Sequence, residues 1–195
     1  MAEPAPQIIV IAGPNGAGKS TVAPFLLRDT FGVSEFVNAD SVALGLSAFN
    51  PQGAAFEAGR IMLRRLRDLA AARTIFAFET TLSTRSYAPW LGGLKARGYN
   101  FHLLFLWLRS SELAAARVRQ RVAAGGHDVP EPVVRRRYGK GVRNFFDLYR
   151  PLADSWVVYD NSVAGDPRRL AVGRGLAREF VLEDGLWDQF RESGR

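Results

Sequence analysis

Short runs of consecutive apolar residues alternate along this chain with longer stretches whose apolar positions recur every three or four residues. The apolar runs at 7–12, 35–37, 74–78, 100–108 and 155–159 predict five strands. Apolar side chains at successive rather than alternate positions mean strands buried on both faces. With helices between them, the five predict an α/β fold with a parallel sheet covered on both sides.

The intervening stretches carry recognisable helix ends. Asn50-Pro51 predicts a cap followed by a first-turn proline, after which Phe56, Leu63, Leu66 and Ala70 recur at helical spacing, with Glu57, Arg60 and Arg64 on another face. Those arginines read as a solvated face of an amphipathic helix. A second helix is predicted from after Ser110 to about Ala124. A third opens at Pro132, with Val134, Tyr138, Phe145 and Tyr149 on one stripe, and Gly125-Gly126 is the hinge between them.

Composition narrows the class. The chain has 195 residues, 47% hydrophobic and 23% charged, enough for one well-buried core, and neither a repeat nor a linker divides it, so a single domain over 1–195 is expected. It has no cysteine, which excludes disulfides and thiolate metal sites, and its two histidines argue against a histidine-based one. The first residues carry a glutamate and two prolines where a signal peptide would need basic and then apolar residues, and no apolar run approaches the about 20 residues that span a bilayer. A cytoplasmic protein without membrane contact is the expectation. The net charge of +7, which could mean nucleic acid, an anionic membrane or an anionic small molecule as partner, concentrates in 60–73 and 117–143.

Residues 13–21, GPNGAGKST, follow the first strand and precede a helical run at 21–27. They match G-x-x-x-x-G-K-S/T at Gly13, Gly18, Lys19 and Ser20, in the strand–loop–helix context that a phosphate-binding P-loop requires. Gly13, Asn15, Gly16, Ala17, Gly18, Lys19, Ser20 and Thr21 are therefore the candidate nucleotide-binding residues. The backbone N–H groups and the helix dipole face the phosphates, Lys19 reaches the β- and γ-phosphates, and the Ser20 hydroxyl ligates Mg²⁺. Pro24 falls past the first turn of that helix and is expected to bend it or cost it a hydrogen bond.

The remaining motifs concern where the phosphate goes. Neither the N-K-x-D of a GTPase nor a D-x-x-G after the third strand is present, nor a run of four apolar residues ending in Asp-Glu as in motor and transport ATPases. Asp40, in VNAD just past the second strand, and Glu79, at the end of the third, belong outside the carboxyl ends of the strands and so are expected to face the loop. An acid there can take a proton from an acceptor hydroxyl. The structural alternatives are that Asp40 caps a helix starting at Ser41 and that Glu79 serves backbone N–H groups at a turn. Arg117 and Arg121 lie four apart, an arrangement that favours an anion between them. With Arg135, Arg136, Arg137, Lys140 and Arg143 they suggest a helical lid over about 110–148 that excludes water and stabilises transferred charge. Nucleic-acid binding is the alternative for this cluster, without a sequence-reading motif to support it.

In this order and spacing, IAGPNGAGKST, VNAD, FETTLS (78–83), RVAAGGHDVPEPVVRRRY (121–138) and YDNS (159–162) resemble the zeta-toxin-like P-loop kinases, in particular their short chromosomal members, over about 7–162. The resemblance implies a P-loop kinase fold with strand order 2-3-1-4-5, ATP or GTP as donor, Mg²⁺, and UDP-N-acetylglucosamine or a similar anionic acceptor. It implies Asp40 as general base, Lys19 and Ser20 at the phosphates and metal, and Glu79, Thr80 and Thr81 on the acceptor. It further implies Arg121 and Arg137 as lid arginines and Asn161 near the nucleotide base. Toxins of this kind are held by an antitoxin, so an acidic antitoxin protein is a candidate partner. The tail at 165–195 is short beside longer toxins, leaving less chain for a sugar pocket. The rival reading is a nucleotide-dependent regulatory or nucleic-acid-associated module without a small-molecule acceptor, and a third is nucleotide binding without turnover.

Overall fold

The computed structural model describes residues 5–30, 32–176 and 178–195. Its elements run β1 (Gln7–Ala12), α1 (Lys19–Pro24), β2 (Glu35–Val37), α2 (Ala39–Leu46), α3 (Ala55–Ala71), β3 (Phe76–Thr80), α4 (Tyr87–Ala96), β4 (Asn100–Trp107), α5 (Ser111–Ala123), α6 (Glu131–Asn144), α7 (Arg150–Leu152), β5 (Ser155–Asp160), β6 (Arg168–Arg174), β7 (Arg178–Val181) and α8 (Asp184–Glu192).

All strands join one seven-stranded sheet of order β2-β3-β1-β4-β5-β6-β7. The first five are parallel in the order 2-3-1-4-5, as the resemblance implied. The sheet is nevertheless mixed, because β6 and β7 add antiparallel strands beside β5. The tail at 165–195 thus supplies two strands and the last helix of the fold. Its α8 places Trp187 and Phe190 against Phe146, Trp156, Phe105 and Trp107, with the Trp156 and Trp187 rings stacked at 5.8 Å.

Both faces of β1 are buried, which accounts for its unbroken apolar run. Ile8, Val10 and Ala12 face the larger core with Met62, Leu66 and Leu91, whereas Ile9 and Ile11 face a smaller one with Ala23, Leu27, Ala77 and Leu104. At about 1.5–3 kcal/mol per fully buried aliphatic side chain, this central strand anchors the loop that follows it.

Several local expectations shift. β3 begins at Phe76 rather than residue 74, and Ile75 is exposed. The helix expected after Asn50-Pro51 starts at Ala55. Asn50 instead caps a preceding turn, its Oδ1 accepting from the Gly53 N–H at 3.1 Å. The buried stripe of α3 is Ala58, Met62, Leu66, Leu69 and Ala70, while Phe56 is 80% and Leu63 39% exposed. The stripe of Val134, Tyr138, Phe145 and Tyr149 is buried as expected. Pro24 has a structural account: α-helical bonding ends there, at a residue without an N–H, and the chain continues in wider π-helical turns over Phe25–Thr30.

Candidate active site

The loop leaving β1 is shaped by close approaches. Gly13 has φ 143° and lies against the Leu106 carbonyl of β4, where any Cβ would collide. Gly18, at φ 77°, is the residue before the first turn of α1, and a Cβ there would meet the Asn161 amide at 2.9 Å. The Asn161 Nδ2 donates to the Ala17 carbonyl at 2.7 Å, bolting the loop to the end of β5. Asn161 is 6% exposed, so its amide is committed to the loop backbone.

Lys19 arches back over the loop and donates to the Pro14 carbonyl at 2.9 Å, and its Nζ lies 3.6 Å from Glu79 Oε1. Burial pushes the ammonium below its ordinary pKa, the Glu79 and Asp40 carboxylates pull it back up, and Arg121 lowers it again.

Strand alternation decides where Glu79 points. Phe76 and Phe78 enter the larger core and Ala77 the smaller, so Glu79 falls on the side of α1, with its Cα opposite Ile11 of β1. There its Oε2 accepts from Ser20 Oγ at 2.8 Å and from Asn38 Nδ2 at 2.7 Å. Glu79 therefore serves the P-loop serine rather than a turn. Asn38, which the sequence reading left without a role, joins both acids: its Oδ1 accepts from the Asp40 and Ser41 N–H groups at 2.7 and 3.3 Å, capping α2. The cap is Asn38 rather than Asp40, and the Asx residue just before the helical run was the available signal. Relieved of capping, Asp40 projects from the first turn of α2.

Two cavities meet at this point. One, of about 370 Å³, brings Lys19 and Asn15 of the loop together with Glu79, Thr80, Thr81 and Arg137. The other, of about 610 Å³, lies between Ser20, the turn after α2 and the α5–α6 connection, and includes Arg121. Asn38, Asp40 and His127 line both. The proposed base, loop lysine and acceptor threonines thus share one cavity, with one expected lid arginine in each.

The arginines of the expected lid have different partners. Arg117 is spent on the fold, donating at 2.8 Å to the carbonyls of Asn161 and Ser162, which corrects the expectation of an anion held between it and Arg121. Arg135 bridges Glu112 and Glu131, and Arg119 pairs with Glu131 at 2.7 Å, so much of the basic run cross-links α5 to α6. Arg121 donates to the His127 carbonyl at 2.6 Å, while its buried Nε has no hydrogen-bond partner among the described residues. That orphaned donor at a cavity wall fits an anionic oxygen.

The donor set also fits Mg²⁺. One hydroxyl and one carboxylate at the loop suit an ion that completes its shell with phosphates and water, and no group of three or more His, Cys, Asp or Glu residues that could hold a metal occurs among the described residues. No helix among them is long and apolar enough to cross a membrane.

A parallel core of order 2-3-1-4-5 with a glycine loop, lysine and serine at its centre defines a P-loop protein of the nucleotide-binding α/β class. Residues 8–140 match the family model described as AAA domain, and the chain belongs to that family. It is 31% identical over 132 residues to an uncharacterized protein of Haemophilus influenzae, covering 68% of this chain and 92% of that one. Among solved structures, AvrRxo1-ORF1, crystallised with AvrRxo1-ORF2 and sulphate ions, superposes with a TM-score of 0.78 at 16% identity, over 99% of this chain and 66% of that one. The same complex with ATP gives 0.76. This chain spans just under two thirds of those structures' length. A chain of the PezAT chromosomal toxin–antitoxin system of Streptococcus pneumoniae gives 0.66 at 18% identity, over 97% and 80% of the two chains. These likenesses establish the shared fold.

Proposed function

We propose that the protein is a zeta-toxin-like kinase that transfers the γ-phosphate of ATP or GTP to a hydroxyl of a nucleotide-activated sugar such as UDP-N-acetylglucosamine. The observation that carries this reading is the position of Asp40, which lines both the cavity with Lys19 and the cavity with Ser20. A carboxylate there can accept the proton of an acceptor hydroxyl as its oxygen attacks the γ-phosphorus and the bond to the β-phosphate oxygen breaks. Lys19, Arg121 and Arg137 offset the charge on the transferred group. Ser20 and Glu79 would hold Mg²⁺, which would supply charge neutralisation at the phosphates when bound. Thr80 and Thr81, in the cavity with Arg137, offer hydroxyls to a polar, anionic acceptor. The α5–α6 pair acts as the lid that keeps water from the γ-phosphate.

The net charge of +7 and the co-crystallisation of AvrRxo1-ORF1 with AvrRxo1-ORF2 support an acidic protein partner of antitoxin type. The test of the function is incubation with Mg·ATP and a panel of UDP-sugars, followed by mass spectrometry for acceptor-bound phosphate. The reading expects an acceptor gaining one phosphate in an Asp40-dependent way. Release of free phosphate at a rate indifferent to every acceptor would favour a nucleotide-driven switch instead.

A further inference from the structure

We propose that His127, which shares both cavities with Asp40, is the lid residue that contacts the acceptor, its imidazole donating a hydrogen bond to an acceptor oxygen beside the reacting hydroxyl. The inference rests on the kinase reading above. His127 is half-buried, and among the described lining residues only Asn38 and Asp40 also line both cavities. Asn38 is occupied with capping and with Glu79, which leaves Asp40 and His127 as the two free-ended groups at the junction.

The loop that carries His127 is fixed on both sides. Arg121 donates to its carbonyl at 2.6 Å, and Gly126 sits so tightly on Arg121 that an added Cβ would lie 3.0 Å from the Arg121 carbonyl oxygen. Two residues further on, Val129 is 7% exposed and packs into the larger core. With its carbonyl taken, His127 has its side chain left to offer the cavities. The charged groups that share those walls are Lys19 from α1, Asp40 from α2, Glu79 from β3, Arg121 from α5, Asp128 from the same loop and Arg137 from α6. Between a carboxylate that takes a proton and guanidinium groups of fixed charge, an imidazole adds a directional N–H for a hydroxyl, amide or phosphate oxygen.

The chain has two histidines, which makes the test direct. His102 bonds Ser155 at 2.7 Å near the start of β4, away from the loop end of the sheet, and serves as an internal control. Imidazole NMR signals would be followed while UDP-N-acetylglucosamine is titrated into protein with and without a non-hydrolysable Mg·ATP analogue. The expected result is a saturable shift of the His127 signal with His102 stationary. In turnover, His127→Ala should raise the acceptor KM at least tenfold with the ATP KM within twofold, and His127→Gln, which keeps an N–H, should recover part of the loss. A His127 signal that stays fixed at saturating acceptor, or an unchanged acceptor KM in His127→Ala, overturns the proposal. Absence of product with every UDP-sugar would sink the kinase reading, whereas a His127 shift without product would sustain the contact alone.

Discussion

Ser20 and Glu79, 59 positions apart in the chain, meet through a hydrogen bond of 2.8 Å, and Asn38 donates to the same carboxylate oxygen at 2.7 Å. The first turn of α1, the residue after β2 and the end of β3 thereby converge on one point. Glu79→Gln keeps the shape and removes the charge that faces both Ser20 and Lys19. Turnover at fixed Mg²⁺ should fall on the order of 10²-fold, the scale for losing one group that stabilises transition-state charge. Mg²⁺ titrations of the rate should shift to higher concentration, and an unchanged metal dependence would remove Glu79 from the metal site.

Asp40→Asn should abolish proton acceptance while leaving the loop intact. We expect acceptor phosphorylation to drop by about 10²–10⁴-fold, with ATP binding by calorimetry within a factor of two. Wild-type turnover in this variant would contradict the role of the carboxylate.

Removing the bolt on the loop tests a structural claim. Asn161→Ala leaves the Ala17 carbonyl without its buried donor, at a cost of about 1–3 kcal/mol in urea unfolding. Nucleotide affinity should weaken alongside, because the same carbonyl sets the loop's path. A group that merely touched the base would change affinity without changing stability.

The α5–α6 clasp has a pH signature. Glu112, hydrogen-bonded to its own backbone N–H, to Arg135 and to Ser111, has its pKa lowered to about 2, and Arg135 likewise lowers that of Glu131. Because these carboxyls are depressed in the folded state, the stabilisation is present above the ordinary value of 4.5 and disappears as the pH falls towards 2. Melting temperatures of Glu112→Gln and wild type should therefore differ slightly at pH 7 and converge near pH 2. A gap that widened on acidification would reverse the sign.

The last helix should prove integral. Phe190 is fully buried and contacts Phe105, Trp107, Phe145 and Trp187, so Phe190→Ala should cost about 3–5 kcal/mol in a denaturant melt. Near-wild-type stability would show α8 to be dispensable.

The parts of the fold legible in the sequence were those with a local cause. Successive apolar residues at 7–12 marked a strand buried on both faces, and the glycine–lysine–serine spacing marked its loop. β6 and β7 were missed because RRLAVGR and REFV carry arginine within short runs, the pattern of strands at the margin of a sheet. In α3, Leu66 and Ala70 face the core as expected, but Ala58 and Met62 rather than Phe56 and Leu63 complete the stripe, and composition alone does not rank an alanine above a phenylalanine.

The sequence by itself determined a phosphate cradle, two acids at strand ends and a basic helical pair, since each depends on residue type and short-range spacing. Which partner each group takes was decided only by the tertiary structure. Arg117 is consumed by the carbonyls of Asn161 and Ser162, Arg121 keeps a donor free, Glu79 turns to Ser20, and Asn38 caps α2 and so frees Asp40 for the cavity. Those choices follow from the parallel crossovers, which bring residues 20, 38 and 79 to one end of the sheet, and no local propensity encodes a contact over that separation.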